Sequence, residues 1–318
     1  MNKLEKAAQV VIHRSLELKR QESLLIIADE PHLEICEHLF RSAVKRSKHV
    51  HLLRLHQDYL EKNSICESVG RFMQAMNAVI AVTGISLSHL ECRQEACRKG
   101  VRFITMPGIT TETFARISQM DLEKVSRLSR KMKDILTIAK EARISAPNGT
   151  RLKISMASRK GFADTGLVNL PGAFSNMPAG EASIAPEENG VEGELVVDSG
   201  MGVVPEDHEP LCLTFKEGKV TRIIGGECAD RLRRLLAPHG TAGRRAAEFG
   251  IGTNDAARIS GYALEDEKVL GTIHLALGNN LSFGGSNASA LHLDGVVYKA
   301  SVTMDGRSIL ENGKMLLE

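Results

Sequence analysis

Two histidines and an aspartate late in the chain have the spacing of metal ligands. In Leu291-His292-Leu293-Asp294-Gly295, His292 and Asp294 stand two residues apart. On a strand they point to one side while Leu291 and Leu293 point to the other. In Leu270-Gly271-Thr272-Ile273-His274-Leu275-Ala276-Leu277-Gly278, His274 lies opposite an apolar face of Ile273, Leu275 and Leu277, with small neighbours beside it. If the two strands are neighbours, two imidazoles and a carboxylate meet, the smallest common set for a transition metal. For the His292/Asp294 pair alone, a plain His–Asp hydrogen bond at a strand end is the competing reading. Glu181 and Glu248 each sit among small or apolar residues. A carboxylate buried in such surroundings is costly unless it is paired or binds a metal. Glu265, Asp266 and Glu267 precede the His274 strand. One of them can serve as a proton shuttle, but a charged turn in solvent is the expectation for such a run.

These residues need strands to hold them, and the chain changes character before it reaches them. Residues 3–20 carry apolar positions at helical spacing, from Leu4 to Leu16, and Ser23–Ala28 is an apolar run closed by Asp29-Glu30-Pro31. Helices are predicted at 33–46, 64–76 and 87–99, and strands at His49–Leu55, Ala78–Val82 and Val101–Met106. The alternation predicts a parallel sheet flanked by helices. No glycine-rich phosphate loop follows any of these strands, and Asp29 and Glu30 would repel a pyrophosphate, which argues against a nucleotide site. The histidines of this half, His13, His32, His38, His49, His51, His56 and His89, lack ligand spacing. A long amphipathic helix is predicted over 120–142, followed by the turn Pro147-Asn148-Gly149. Beyond it, period-two patterning and frequent glycines predict strands and turns, with one helix near 227–237. The reading is therefore an α/β, Rossmann-like scaffold domain over 1–146 and an α+β metal-binding catalytic domain over 147–318.

Composition narrows the partners. A net charge of +2 gives no electrostatic case for nucleic acid, and the arginines at 231, 233, 234, 244 and 245 read as solvated helix faces. No stretch approaches the ~18 apolar residues of a membrane helix, and the N-terminus lacks a signal-peptide pattern. A cytoplasmic location is the expectation. The six cysteines form no CxxC pair and are expected to be reduced.

Four blocks together carry a resemblance: N-x-P-x-G-E at 176–181, E-F-G-I-G-T-N at 248–254, G-T-I-H-L-A-L-G at 271–278 and H-L-D at 292–294. They are similar to the aminopeptidase T and aminopeptidase S family of two-metal exopeptidases. The resemblance implies metal ligands at Glu181, Glu248, His274, His292 and Asp294, and a catalytic base at Glu267, although the spacing to His274 is not the family's. It also implies two divalent ions (Zn, Co or Mn), a small peptide or amino-acid-derived substrate, release of N-terminal residues by a metal-activated water, and a homodimer. Two features depart from it. The family's tyrosine after the first histidine strand is absent from Gly278-Asn279-Asn280-Leu281-Ser282-Phe283, and His292 follows His274 by only 18 positions. The chain also resembles a relative in the same superfamily, 2,5-dihydroxypyridine 5,6-dioxygenase, which implies one Fe(II) on His274, His292 and Asp294 and oxidative ring opening. A member that kept the fold without activity is a third reading.

Overall fold

The computed structural model describes residues 2–56, 67–203 and 209–317. Two compact units emerge: Met1–Ser126 with Asp164–Ala179, and Arg127–Ala163 with Gly180–Glu318.

The first unit is built on five parallel strands, β1 (Ser23–Ala28), β2 (His49–Arg54), β3 (Ala78–Val82), β4 (Arg102–Thr105) and β8 (Phe174–Asn176), in the order β2-β1-β3-β4-β8. All five residues of Ala78–Val82 are buried, as are five of the six in Ser23–Ala28. Continuous apolar runs suit strands covered on both faces. The helices Leu33–Ala43, Glu67–Gln74 and Glu91–Arg98 follow the predicted order. Positions 64–66 of the second, with Cys66, lie outside the described residues. The first predicted helix is shorter than 3–20: Lys3–Gln9 widens into a π-helical stretch, Val10–Ser15, and ends there.

The second unit stacks two antiparallel sheets. One runs β13-β12-β10-β6-β5-β17-β18-β19, from β5 (Glu141–Ser145), β6 (Arg151–Ser155), β10 (Val191–Val197), β12 (Leu211–Lys216), β13 (Lys219–Ile224), β17 (Ser301–Met304), β18 (Arg307–Glu311) and β19 (Lys314–Met315). The other runs β11-β16-β15-β14-β9-β7, from β7 (Phe162–Asp164), β9 (Glu181–Ile184), β11 (Ser199–Gly200), β14 (Ala246–Gly252), β15 (Ile273–Gly278) and β16 (His292–Val297). Pro147-Asn148-Gly149, where the sequence reading draws its boundary, is the turn joining β5 to β6. The helix predicted near 227–237 is Gly226–Leu236. Ile144, Ile154, Leu195 and Leu213 from the first sheet pack with Phe249, Ile251, Leu275 and Leu277 from the second in one buried cluster. The opposite face of the six-stranded sheet is left to the polar residues of β9, β14, β15 and β16. Among the described residues no helix is long and apolar enough to cross a membrane, and five cysteines are free thiols.

Candidate metal centre

Strand alternation decides which side chains reach that face. In β15, Ile273, Leu275 and Leu277 go to the core, so His274 and Ala276 go to the other side. Register then gathers the rest: Gly250 pairs with His274, Gly252 with Glu181, Ala276 with both Glu248 and Asp294, and Gly278 with His292. Glu248 needs one further device. A bulge between Ala246 and Glu248 inserts Ala247, so Glu248 rather than Ala247 lies opposite Ala276. Without it, Glu248 would pair with Leu275 and face the apolar core. Bulges re-aim side chains in this way beside functional sites. Gly250 supplies space: a Cβ there would lie 2.1 Å from His274 Nε2.

All five expected ligands come together. His274 Nε2 is 3.4 Å from Glu181 Oε2 and 3.8 Å from Glu248 Oε1. His292 Nε2 is 3.2 Å from Glu248 Oε2 and 3.4 Å from Asp294 Oδ1. Two groups result, Glu181/Glu248/His274 and Glu248/His292/Asp294, in each of which the ligand atoms lie within 4.8 Å of one another. Each contains one histidine, and Glu248 belongs to both. His292 donates from Nδ1 to the Asn279 carbonyl at 2.9 Å, the outer hydrogen bond that orients a ligand imidazole. Glu181 Oε2 and His274 Nδ1 are buried with no hydrogen-bond partner. An acceptor left bare among carboxylates and imidazoles fits a cation, so the donor set suits a bound metal.

The electrostatics say the same. Burial pushes the Glu248 carboxyl up, but the two histidines beside it outweigh burial and hold it well below the usual carboxylate range. Asp294 is likewise lowered, by His292 against its burial. Burial opposes charge on the imidazoles, yet the surrounding carboxylates raise His274 to about 9 and lift His292 well above its usual value. Protons gather where positive charge is wanted.

Glu265, Asp266 and Glu267 correct the expectation of a solvent turn, being 1%, 0% and 6% exposed. Asp266 is an anchor: it accepts from Ser260 N–H and Oγ, Gly261 N–H and the Tyr298 hydroxyl. Glu265 accepts from the Arg258 N–H. Glu267 meets the candidate ligand cluster through Lys268 Nζ at 2.7 Å. Burial, with Asp294 and Glu181 nearby, raises it to about 8 despite Lys268. Sequence reasoning missed Lys268, 1% exposed, whose Nζ also lies 2.6 Å from Glu181 Oε1. Its signal was a charged run leading straight into a fully buried strand. It also missed Phe283, stacked on His292 at 5.7 Å between ring centroids and met edge-on by Phe162. Ser286 and Asn287 serve the loop, donating to Glu188 and to the Gly278 and Ala242 carbonyls.

Comparison with known proteins changes the assignment. A curated 2,5-dihydroxypyridine 5,6-dioxygenase from Pseudomonas putida is 23% identical over 257 residues, 75% of this chain and 71% of that protein. The solved structure of 2,5-dihydroxypyridine dioxygenase from Pseudomonas putida KT2440 superposes with a TM-score of 0.85 at 17% identity, covering 99% of this chain and 97% of the other. Wild-type AmpT from Thermus thermophilus shares the fold at a TM-score of 0.71 and 17% identity, with 99% of each chain covered. The likeness to aminopeptidase T is thus one of fold. The hydrolase, protease and aminopeptidase reading is overturned by the family match and the curated relative, which both point to the dioxygenase. The family model described as NicX, 2,5-dihydroxypyridine 5,6-dioxygenase, matches residues 3–317, and the chain belongs to that family.

Proposed function

We propose that this chain is a metal-dependent dioxygenase that opens the ring of a dihydroxypyridine or a closely related hydroxylated nitrogen heterocycle. The observation that carries the reading is the convergence of His274, His292 and Asp294 around Glu248 on one sheet face, in a chain of the dioxygenase family. Two imidazoles and one carboxylate with open positions are the donor set of non-haem Fe(II) oxygenases. One ferrous ion is the proposed cofactor, and it supplies the redox chemistry by which molecular oxygen reacts with an aromatic ring.

The protein's residues have separate tasks. His274, His292 and Asp294 hold the ion, with Glu248 between the imidazoles. The Asn279 carbonyl fixes the His292 ring. Phe283, stacked on that ring, keeps water from one side of it. Glu267, which burial raises to about 8, exchanges a proton with the substrate: its ionised fraction takes the proton of a ring hydroxyl as the substrate binds, and the protonated carboxyl holds it through the reaction.

The test is oxygen uptake by protein loaded anaerobically with ferrous ion and given 2,5-dihydroxypyridine. Consumption of oxygen in equal amount to the substrate lost, absent from His292→Ala, is expected. Iron-loaded protein that consumes neither 2,5-dihydroxypyridine nor any other dihydroxypyridine isomer would sink the proposal.

A further inference from the structure

Lys268 has no part in the reaction as proposed, yet it is among the most deeply buried charged side chains of the chain, 1% exposed. A lysine is seldom buried unless paired. Its backbone leaves little freedom: the N–H donates to the Glu265 carbonyl at 3.0 Å, and its own carbonyl accepts from Asn254 N–H at 2.9 Å. From there Nζ reaches Glu181 Oε1 at 2.6 Å and Glu267 Oε1 at 2.7 Å.

The carboxylates around it have the outline of a two-ion centre. Glu248 turns one oxygen toward each histidine, with Oε1 3.8 Å from His274 Nε2 and Oε2 3.2 Å from His292 Nε2. A shared carboxylate of this kind is what a pair of divalent ions would straddle. Beside the group formed by Glu181, Glu248 and His274, however, a positive charge is already in place on Glu181 Oε1, while Glu181 Oε2 faces His274 Nε2 at 3.4 Å.

We infer that the Lys268 ammonium replaces the second divalent ion, so that this centre takes one ion where its ligand set is shaped for two. The ammonium occupies Glu181 Oε1 and Glu267 Oε1, leaving Glu181 a single oxygen for an ion. It also places a fixed cation beside any ion held by the remaining Glu181 oxygen, and repulsion between cations is strong where water is scarce. The inference rests on the single-ion reading above. It deepens that reading by naming the residue that sets the count.

The probe is Mn(II) alone, measured by equilibrium dialysis with elemental analysis and by electron paramagnetic resonance. The wild-type chain is expected to saturate at one ion with the six-line spectrum of an isolated Mn(II). Lys268→Met, which frees two buried carboxylates, should take up two ions with a spin-coupled spectrum, and Lys268→Arg should return the count to one. A Lys268→Met protein that folds and still binds one ion overturns the inference and leaves the single-ion reading intact. A wild-type chain that binds two ions with Lys268 in place overturns both, whether or not the variants fold. Wild-type protein that binds none removes the metal reading on which both depend.

Discussion

Each unit buries a histidine against carboxylate, and the two places differ in how completely the partners are satisfied. At the carboxyl ends of β1 and β3, Asp29 bonds His32 Nδ1 through one oxygen and accepts the Gly84 N–H at 2.6 Å through the other. Strand order reverses between these strands, so this is the crevice where open parallel sheets bind ligands. Here the Asp29 carboxylate has both oxygens engaged. On the face of the six-stranded sheet, Glu181, Glu248, Glu267 and Asp294 share Lys268 and two imidazoles, and Glu181 Oε2 and His274 Nδ1 remain without hydrogen-bond partners. A histidine–carboxylate pair says little by itself. Buried carboxylates in excess of the protein's own cations, with acceptors left bare, mark a place built for something else.

Substitutions should separate the two regions sharply. The largest effect is expected for His274→Ala, which removes a ligand imidazole: iron content and oxygen uptake both vanish while the circular dichroism spectrum is kept. Next, Gly250→Ala places a methyl against the His274 ring. Metal affinity should fall by about 10–100-fold, the range for disturbing a ligand's support, as read by competition with a chelator. Asp29→Asn should do the reverse of both. Losing one partner of a buried pair costs about 1–3 kcal/mol of stability, seen in urea unfolding, with oxygen uptake per folded, iron-loaded molecule unchanged. A matching loss of metal in Asp29→Asn would erase the contrast.

The smallest effect concerns the loop that carries Phe283. Glu188 is pushed up by burial, but Ser286 and the Arg159 guanidinium outweigh this and hold it at about 2. A carboxyl depressed in the folded state contributes stability above its unfolded value, near 4.5, and loses it as pH falls toward 2. Glu188→Gln should therefore narrow the drop in melting temperature between pH 5 and pH 3. The change is about 0.5 kcal/mol or less, because the pair lies at the surface, partly open to solvent and screened. An unaltered pH profile in the variant contradicts that anchoring role.

Much of this was written in the residue pattern. Alternation in Ile273–Gly278 and at Leu291–Asp294 places His274, His292 and Asp294 opposite an apolar face, and the sheet does so. The parallel sheet was equally legible, since Ser23–Ala28 and Ala78–Val82 are continuous apolar runs. What escaped depends on contacts remote in the chain. The bulge that turns Glu248 to the metal face leaves no mark in Ala246-Ala247-Glu248. Glu265 to Glu267 read as a solvated run, and Lys268 went unnoticed, because their partners, Arg258, Ser260, Tyr298 and Glu181, are distant or ordinary residues. The chemistry was misjudged for a related reason. The four motif blocks describe a sheet that presents two histidines and several acids, and aminopeptidase T and the dioxygenase share that fold. The absent tyrosine after Gly278 was the visible sign of divergence, whereas the buried ammonium of Lys268 needed coordinates to be seen.

Iron analysis of the purified chain after anaerobic exposure to ferrous ion and desalting, with His292→Ala in parallel, is the most direct test of a metal on this sheet face. About one iron per wild-type chain, and none in the variant, is the predicted result. Wild-type protein that emerges metal-free, or a variant that retains the ion, would contradict it.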